Sequence, residues 1–236
     1  MPKLYKVFDP SDSFHKIMPH FDLPFRTMLC SKSQHGIGKT TIILNLLMNP
    51  EFKMNDLFEG KNIFVISNNK LDNKLKLLKE FKEIPDENFM PYDERDLDNL
   101  YDEIELEFLK EQAEGDIQNR LMIFDDVGYS SDFKKKGIID KIISQGRHLN
   151  ISQVYSVQKM SMSSTVLRSQ LTSAFFGSCS ARELDSIEQD FNYLNDKKSF
   201  NVMFRKATSA PRGFLLCNFT GKNGIYYDSD FKPIKV

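Results

Sequence analysis

Cysteine is scarce in this 236-residue chain: Cys30, Cys179 and Cys217 lie far apart, and none forms a C-x-x-C pair. Their number and spacing argue against a zinc knuckle or a redox dithiol and leave buried thiols in a reducing compartment. No run of eighteen apolar residues occurs, so no membrane-spanning segment is expected. The opening MPKLYKVFDPSDSF carries no apolar stretch behind its lysines, so no secretory signal is expected. Internal repeats, low-complexity tracts and Gly/Ser linkers are also missing, and a single domain over residues 1–236 follows. Aromatic residues are not interleaved with the basic clusters, which disfavours stacking on single-stranded bases. The twenty phenylalanines read as core.

The 40% hydrophobic and 28% charged residues fit one three-layer α/β domain with a sizeable core. Net charge is only −1, but it is unevenly spread. Residues 83–116 hold fourteen acids and two bases, so that stretch is −12 and the remainder is +11. A near-neutral total therefore does not exclude a polyanionic partner.

Residues 9–24 read as an irregular lead-in, followed by a short buried strand at Phe25–Cys30. Ile42, Ile43, Leu46 and Leu47 have helical spacing, and Asn49-Pro50 ends that helix. A second strand is expected at Asn62–Ser67 and a helix at about Leu71–Phe81. Within the acidic stretch, Leu97, Leu100, Tyr101, Ile104 and Phe108 recur at helical intervals. A long surface helix with its acids in water follows. Further strands are expected at Leu121–Phe124, Ile151–Val157 and Ala174–Gly177, with an isoleucine-rich helix (Ile138, Ile139, Ile142, Ile143) between the first two. Strands alternating with helices predict a mostly parallel sheet covered on both faces. Phe200–Arg205 and Gly213–Phe219, flanking Ser209–Gly213, read as a C-terminal antiparallel hairpin spanning about 200–220.

The strongest chemical signal is Ser33-Gln34-His35-Gly36-Ile37-Gly38-Lys39-Thr40, followed by Thr41. Its spacing is that of the phosphate-binding loop G-x-x-x-x-G-K-[ST], with Ser33 replacing the first glycine. Gly36 and Gly38 permit the turn that aims backbone N–H groups at anionic oxygens, and the following helix adds its positive end. Lys39 is placed to reach the β- and γ-phosphates of ATP, and Thr40 to offer its hydroxyl to Mg²⁺. The second signal, Leu121-Met-Ile-Phe-Asp125-Asp126, delivers two carboxylates at a strand end, as a Walker B motif does. Asp125 is the candidate Mg²⁺ ligand and Asp126 the candidate general base. In the third signal, Gly146-Arg147 precedes a strand and Gln158 follows it. Gln158 falls between the two Walker motifs, where it can bind water or γ-phosphate. Arg147 points away from its own nucleotide, as a finger for a neighbouring subunit must; Arg168 is a second-choice finger.

From about residue 25 to 180, this order of elements resembles the HerA/FtsK branch of P-loop ATPases, in particular the DNA-packaging ATPases of double-stranded DNA viruses. The resemblance implies a RecA/FtsK-like three-layer fold and an ATP-driven double-stranded DNA translocase that pumps a genome into a capsid. It further implies a pentameric or hexameric homo-oligomeric ring with ATP at its interfaces, a capsid or portal-vertex docking partner, and a place in the host cytoplasm or the virion. Candidate DNA contacts are Lys134, Lys135, Lys136, Lys197, Lys198, Arg205, Lys206 and Arg212, all suited to phosphates rather than bases. The alternative is a P-loop nucleotide or small-molecule kinase. It needs an acceptor pocket and usually an arginine-rich lid, neither of which is evident; a Walker B strand beside the loop strand would favour it. A regulatory switch protein that hydrolyses slowly and acts through partners is the third and least favoured reading.

Overall fold

The computed structural model describes residues 21–32, 36–52, 54, 56–69, 72–127, 137–194, 196–219 and 225–235. The loop residues Ser33, Gln34 and His35 and the lysines Lys134, Lys135 and Lys136 lie outside these, as does most of the lead-in.

Eight strands form one sheet: β1 (Arg26–Cys30), β2 (Ile63–Ser67), β3 (Phe89–Met90), β4 (Arg120–Asp125), β5 (Ile151–Val157), β6 (Ser173–Phe176), β7 (Leu215–Asn218) and β8 (Tyr226–Tyr227). Their order is β3-β2-β4-β5-β1-β6-β7-β8. The first six strands run parallel; β7 is antiparallel to β6 and to β8. Among the described residues, seven helices accompany them: α1 (Lys39–Met48), α2 (Asn73–Lys82), α3 (Glu94–Glu114), α4 (Ile138–Gln145), α5 (Thr165–Gln170), α6 (Ala181–Phe191) and α7 (Lys197–Ala207).

Alternation along each strand builds the three layers, because successive side chains leave a strand on opposite faces. Leu29, Val65, Ile123, Val154 and Phe175 pack with α1 and α2 in one core. Met28, Phe64, Phe124, Tyr155 and Phe176 pack with α3, α4, α6 and α7 in the other. Since β2 and β4 are covered on both faces, the runs Ile63–Ile66 and Leu121–Phe124 are continuously apolar.

The acidic stretch is a helix, as its periodicity requires. Asp93 caps α3 by accepting from the N–H groups of Arg95 and Asp96, and Gly115 ends it in a left-handed conformation (φ 77°). Leu97, Tyr101 and Ile104 are buried, and the acids face outward. One inward reach is different: Glu111 grips Arg120, whose side chain is fully buried at the start of β4.

The C-terminal region corrects the expected hairpin. A C-terminal antiparallel hairpin exists, but its arms are β7 and β8. The segment 200–205 belongs to α7, capped by Asp196 through the N–H groups of Lys198 and Ser199. The pattern Phe200, Val202, Phe204 imitates strand alternation, yet Val202 is 62% exposed while Phe200, Met203 and Phe204 are buried. The i, i+3, i+4 spacing prevails because it matches a helix docked on one face.

Candidate active site

The predicted chemistry gathers at the carboxyl ends of the parallel strands. β1 ends at Cys30 and enters the loop; β5, immediately beside it, ends one residue before Gln158; β4, beyond β5, ends at Asp125. Register ties them together: Leu29 is level with Ser156, and Ser156 with Asp125. Two strand spacings therefore separate the loop strand from the carboxylates, about 10 Å across the sheet.

The loop is anchored from below by Ser31, a residue whose role the sequence motif does not reveal. Its hydroxyl accepts from the Ile37 N–H at 3.1 Å, and its carbonyl accepts from Lys39 Nζ at 2.8 Å. Gly36 is needed for proximity: a Cβ there would stand 2.0 Å from the Lys32 carbonyl oxygen. Gly38 is needed for conformation, since it precedes α1 with φ 78°. Gly177, just after β6, closes the underside, where a Cβ would fall 2.7 Å from both Ile37 and Ser31. Burial lowers the Lys39 pKa, while Asp126 and then Asp125 pull it back up. The ammonium thus already feels both carboxylates across the gap a phosphate chain would fill. At the helix end of the loop, Lys74 of α2 donates to the Thr41 hydroxyl at 2.7 Å, adding a cation that no motif signals.

Asp125 and Asp126 are adjacent in sequence but differ in environment. Asp125 is 5% exposed, and burial, then the neighbouring Asp126 and Asp72, push its carboxyl above the usual range against the pull of Lys39. A cation beside it would relieve that cost. Among the described residues, no group of three or more His, Cys, Asp or Glu forms a cage for an ion. One carboxylate and the Thr40 hydroxyl suit Mg²⁺, a hard ion that keeps waters and phosphate oxygens in its shell. Asp126 sits in the left-handed region at φ 54°. Such a conformation costs a non-glycine residue about 1–3 kcal/mol and persists only where surroundings enforce it. Here the Asp126 N–H donates to the Ser156 carbonyl at 3.2 Å. The Gln158 amide donates to both Asp126 carboxylate oxygens at 3.1 Å. Gln158 therefore stands between the Walker motifs as expected, with its amide engaged by Asp126.

Arg147 is in the short 3-10 turn Gly146–Leu149 that leads into β5, at the opposite end of the sheet from the loop. Seven residues of strand intervene, roughly 20 Å at 3.3 Å per residue, so it cannot serve its own nucleotide. It is exposed, near His148 (3.4 Å), and close enough to Arg26 to depress the latter's pKa after burial has done so. Arg168 is committed elsewhere, 2.7 Å from Asp190 and donating to the Ser163 carbonyl at 3.0 Å. Of the basic candidates beyond the site, Lys197 pairs with Asp185 at 2.9 Å. Lys198, Arg205 and Lys206 are exposed on α7, and Arg212 on the turn after it.

A strand inserted between the loop strand and the carboxylate strand places the molecule among P-loop NTPases of the hydrolysing type. β4 beside β1 would have favoured the kinase alternative, and β5 occupies that position. Residues 18–218 match the family model described as Poxvirus A32 protein, and the chain belongs to that family. Solved structures similar to it include B204, the DNA-packaging ATPase from Sulfolobus Turreted Icosahedral Virus. That match has 16% identity over 90% of this chain and 99% of that one, with a TM-score of 0.54. The genome packaging NTPase B204 from Sulfolobus turreted icosahedral virus 2 is also similar. Its sulfate complex shares 15% identity over 85% and 94% of the two chains (TM-score 0.54). Its AMPPCP complex shares 16% over 90% and 99% (TM-score 0.53). At such identities the likeness is one of fold. Among curated protein sequences nothing matches.

Proposed function

We propose that this chain is a Mg²⁺-dependent ATPase that drives double-stranded DNA into a viral capsid. The observation that carries the hydrolytic part is the convergence of Lys39, Asp125, Asp126 and Gln158 at the ends of β1, β4 and β5. Family membership and the shared fold of the B204 packaging enzymes support the direction of that work toward DNA.

In this reading, loop N–H groups and Lys39 hold the β- and γ-phosphates, and Thr40 and Asp125 hold Mg²⁺. Bound Mg²⁺ would neutralise charge developing on the phosphate oxygens. Asp126 takes the proton of the attacking water, and Gln158 is placed to set the position of that carboxylate. The γ end of the nucleotide faces β4, so its nucleoside end runs the other way, over β6. A cavity of about 320 Å³ lies there, walled by Gly36, Ile37, Ser178 and the turn Thr208–Gly213. Arg147, at the far end of the sheet, completes the site of the neighbouring subunit in a homo-oligomeric ring. A capsid or portal-vertex protein is the docking partner this reading implies.

The test combines negative-stain imaging with ATP analogue and duplex DNA and a Mg²⁺-dependent ATPase assay. Rings threaded by DNA and hydrolysis that stops on chelation are expected. A monomer that phosphorylates a small-molecule acceptor would overturn the proposal.

A further inference from the structure

On the same end of the sheet as the loop, but outside the nucleotide path, lies a second open cavity of about 470 Å³. Its walls include Lys32, two residues beyond β1, Lys159, two residues beyond β5, and Arg182, in the first turn of α6. All three are exposed, and among the described residues none is paired with a carboxylate. Ser161, Ser180 and Ser186 add hydroxyl groups. The one acid in the wall, Glu183, is already accepting from the Met160 N–H at 2.9 Å. The amino end of α6, capped by Ser180, turns the positive end of an 11-residue helix toward the same space. Unlike Lys197 and Arg168, which are each held by an acid, these three cations share a cavity whose wall holds one acid.

We infer that this cavity grips a backbone phosphate of duplex DNA and reports its presence to the catalytic carboxylate through Lys159 and Gln158. The inference rests on the motor reading above. Three exposed cations and hydroxyl groups suit a phosphodiester, which they can bind without reading bases and release again, as a translocating motor must. A neighbouring subunit's Arg147 would be repelled by the same set. Lys159 is the residue after Gln158, whose amide holds both oxygens of Asp126. A phosphate that draws Lys159 into the cavity therefore acts one peptide bond away from the group that controls the general base.

The experiment compares wild type with the Lys159→Ala/Arg182→Ala double variant and with Lys159→Arg/Arg182→Lys, which keeps both charges. Binding of a mixed-sequence duplex is followed by fluorescence anisotropy across a salt series, alongside ATPase activity with and without saturating DNA. The alanine variant should lower DNA affinity about tenfold or more at low salt. It should also reduce the magnitude of the log-affinity against log-salt slope by about 1, for the one phosphate the cavity holds. Its activity without DNA should match wild type, stimulation by DNA should vanish, and the charge-keeping variant should retain both. Unchanged affinity and slope in a folded alanine variant would overturn the site while leaving the motor reading intact. Failure of wild type to bind DNA would overturn the motor reading itself, and the site with it. Two further arms separate other anions. If inorganic phosphate inhibits wild type but not the alanine variant and DNA affinity is unchanged, the cavity is a product site and the inference fails. If mass photometry shows that ring assembly is lost while DNA affinity per ring is kept, the cavity is a subunit contact and the inference fails.

Discussion

The two ends of the sheet are built to different standards. At the carboxyl end, Lys39, Asp125, Asp126 and Gln158 are held by hydrogen bonds, burial and an enforced left-handed backbone. At the amino end, Arg147 stands exposed on a turn, with His148 as its near neighbour. On the proposed function, the contrast means that one chain carries a preorganised half of a site and presents the complementary half outward. Preorganisation is costly, and it is found where charge develops in the transition state. An arginine that must meet another molecule is better left solvated until contact.

The sharpest way to break this comparison is at Arg147. If it completes a neighbour's site, Arg147→Ala should reduce ATP turnover by about 10³–10⁵-fold while leaving nucleotide binding intact. Mixing inactive Arg147→Ala with inactive Lys39→Ala should restore part of the activity, because some interfaces then pair an intact loop with an intact arginine. No recovery in confirmed mixed rings would return Arg147 to a local role.

At the other end, Asp126→Asn should retain ATP binding and lose turnover by about 10²–10⁴-fold, the usual worth of a general base. Wild-type turnover in this variant would mean that the enforced conformation of Asp126 serves packing rather than chemistry.

A structural contrast within the amino end comes next. Arg120 is fully buried and Glu111 is its main partner, so Glu111→Ala should cost about 3 kcal/mol in urea unfolding. The outlying Glu107 oxygen at 3.5 Å offers only weak replacement. Burial by itself would raise the Glu111 carboxyl; hydrogen bonds from Arg120 and the Gln118 N–H, with the nearby positive charge, hold it below its ordinary 4.5 instead. Its contribution is therefore full above that value and is lost as pH falls through the depressed folded pKa. The gap between wild type and variant should close on acidification, which a pH series of urea titrations would reveal.

The smallest effect on stability should have the opposite sign. Asp125 has a raised pKa, so its charged form destabilises the nucleotide-free chain at neutral pH. Asp125→Asn should raise Tm slightly at pH 7, with the gain fading as pH falls through the folded pKa, and should abolish Mg²⁺-dependent turnover. A lower Tm at pH 7 would show that this carboxylate is a structural asset, which would weaken the contrast between the two ends.

Much of the fold was legible because strand and helix periods are local. Ile151–Val157 was expected as a strand and is β5; Leu97, Tyr101 and Ile104 marked the buried face of α3. The position of the strand-end acids was legible too: Asp125 ends β4 and Asp126 follows it. The helix α7 was not, because Phe200, Val202 and Phe204 fit either period until docking exposes Val202. Within the site, Ser31, Lys74 and Gly177 carry no spacing signal; they matter through neighbours 6, 33 and 140 positions away, Ile37, Thr41 and Ile37 again.

By itself, then, the sequence determined which atoms are available and where along the chain they fall: a glycine-rich turn, a lysine, two strand-end carboxylates, a glutamine and an arginine. Only the tertiary structure decided that β5 enters between β1 and β4, so that Gln158 meets Asp126 while Arg147 is carried to the far end of the sheet. Strand order depends on which apolar faces pack together across the whole molecule. That is a sum over distant contacts, and no local period encodes it.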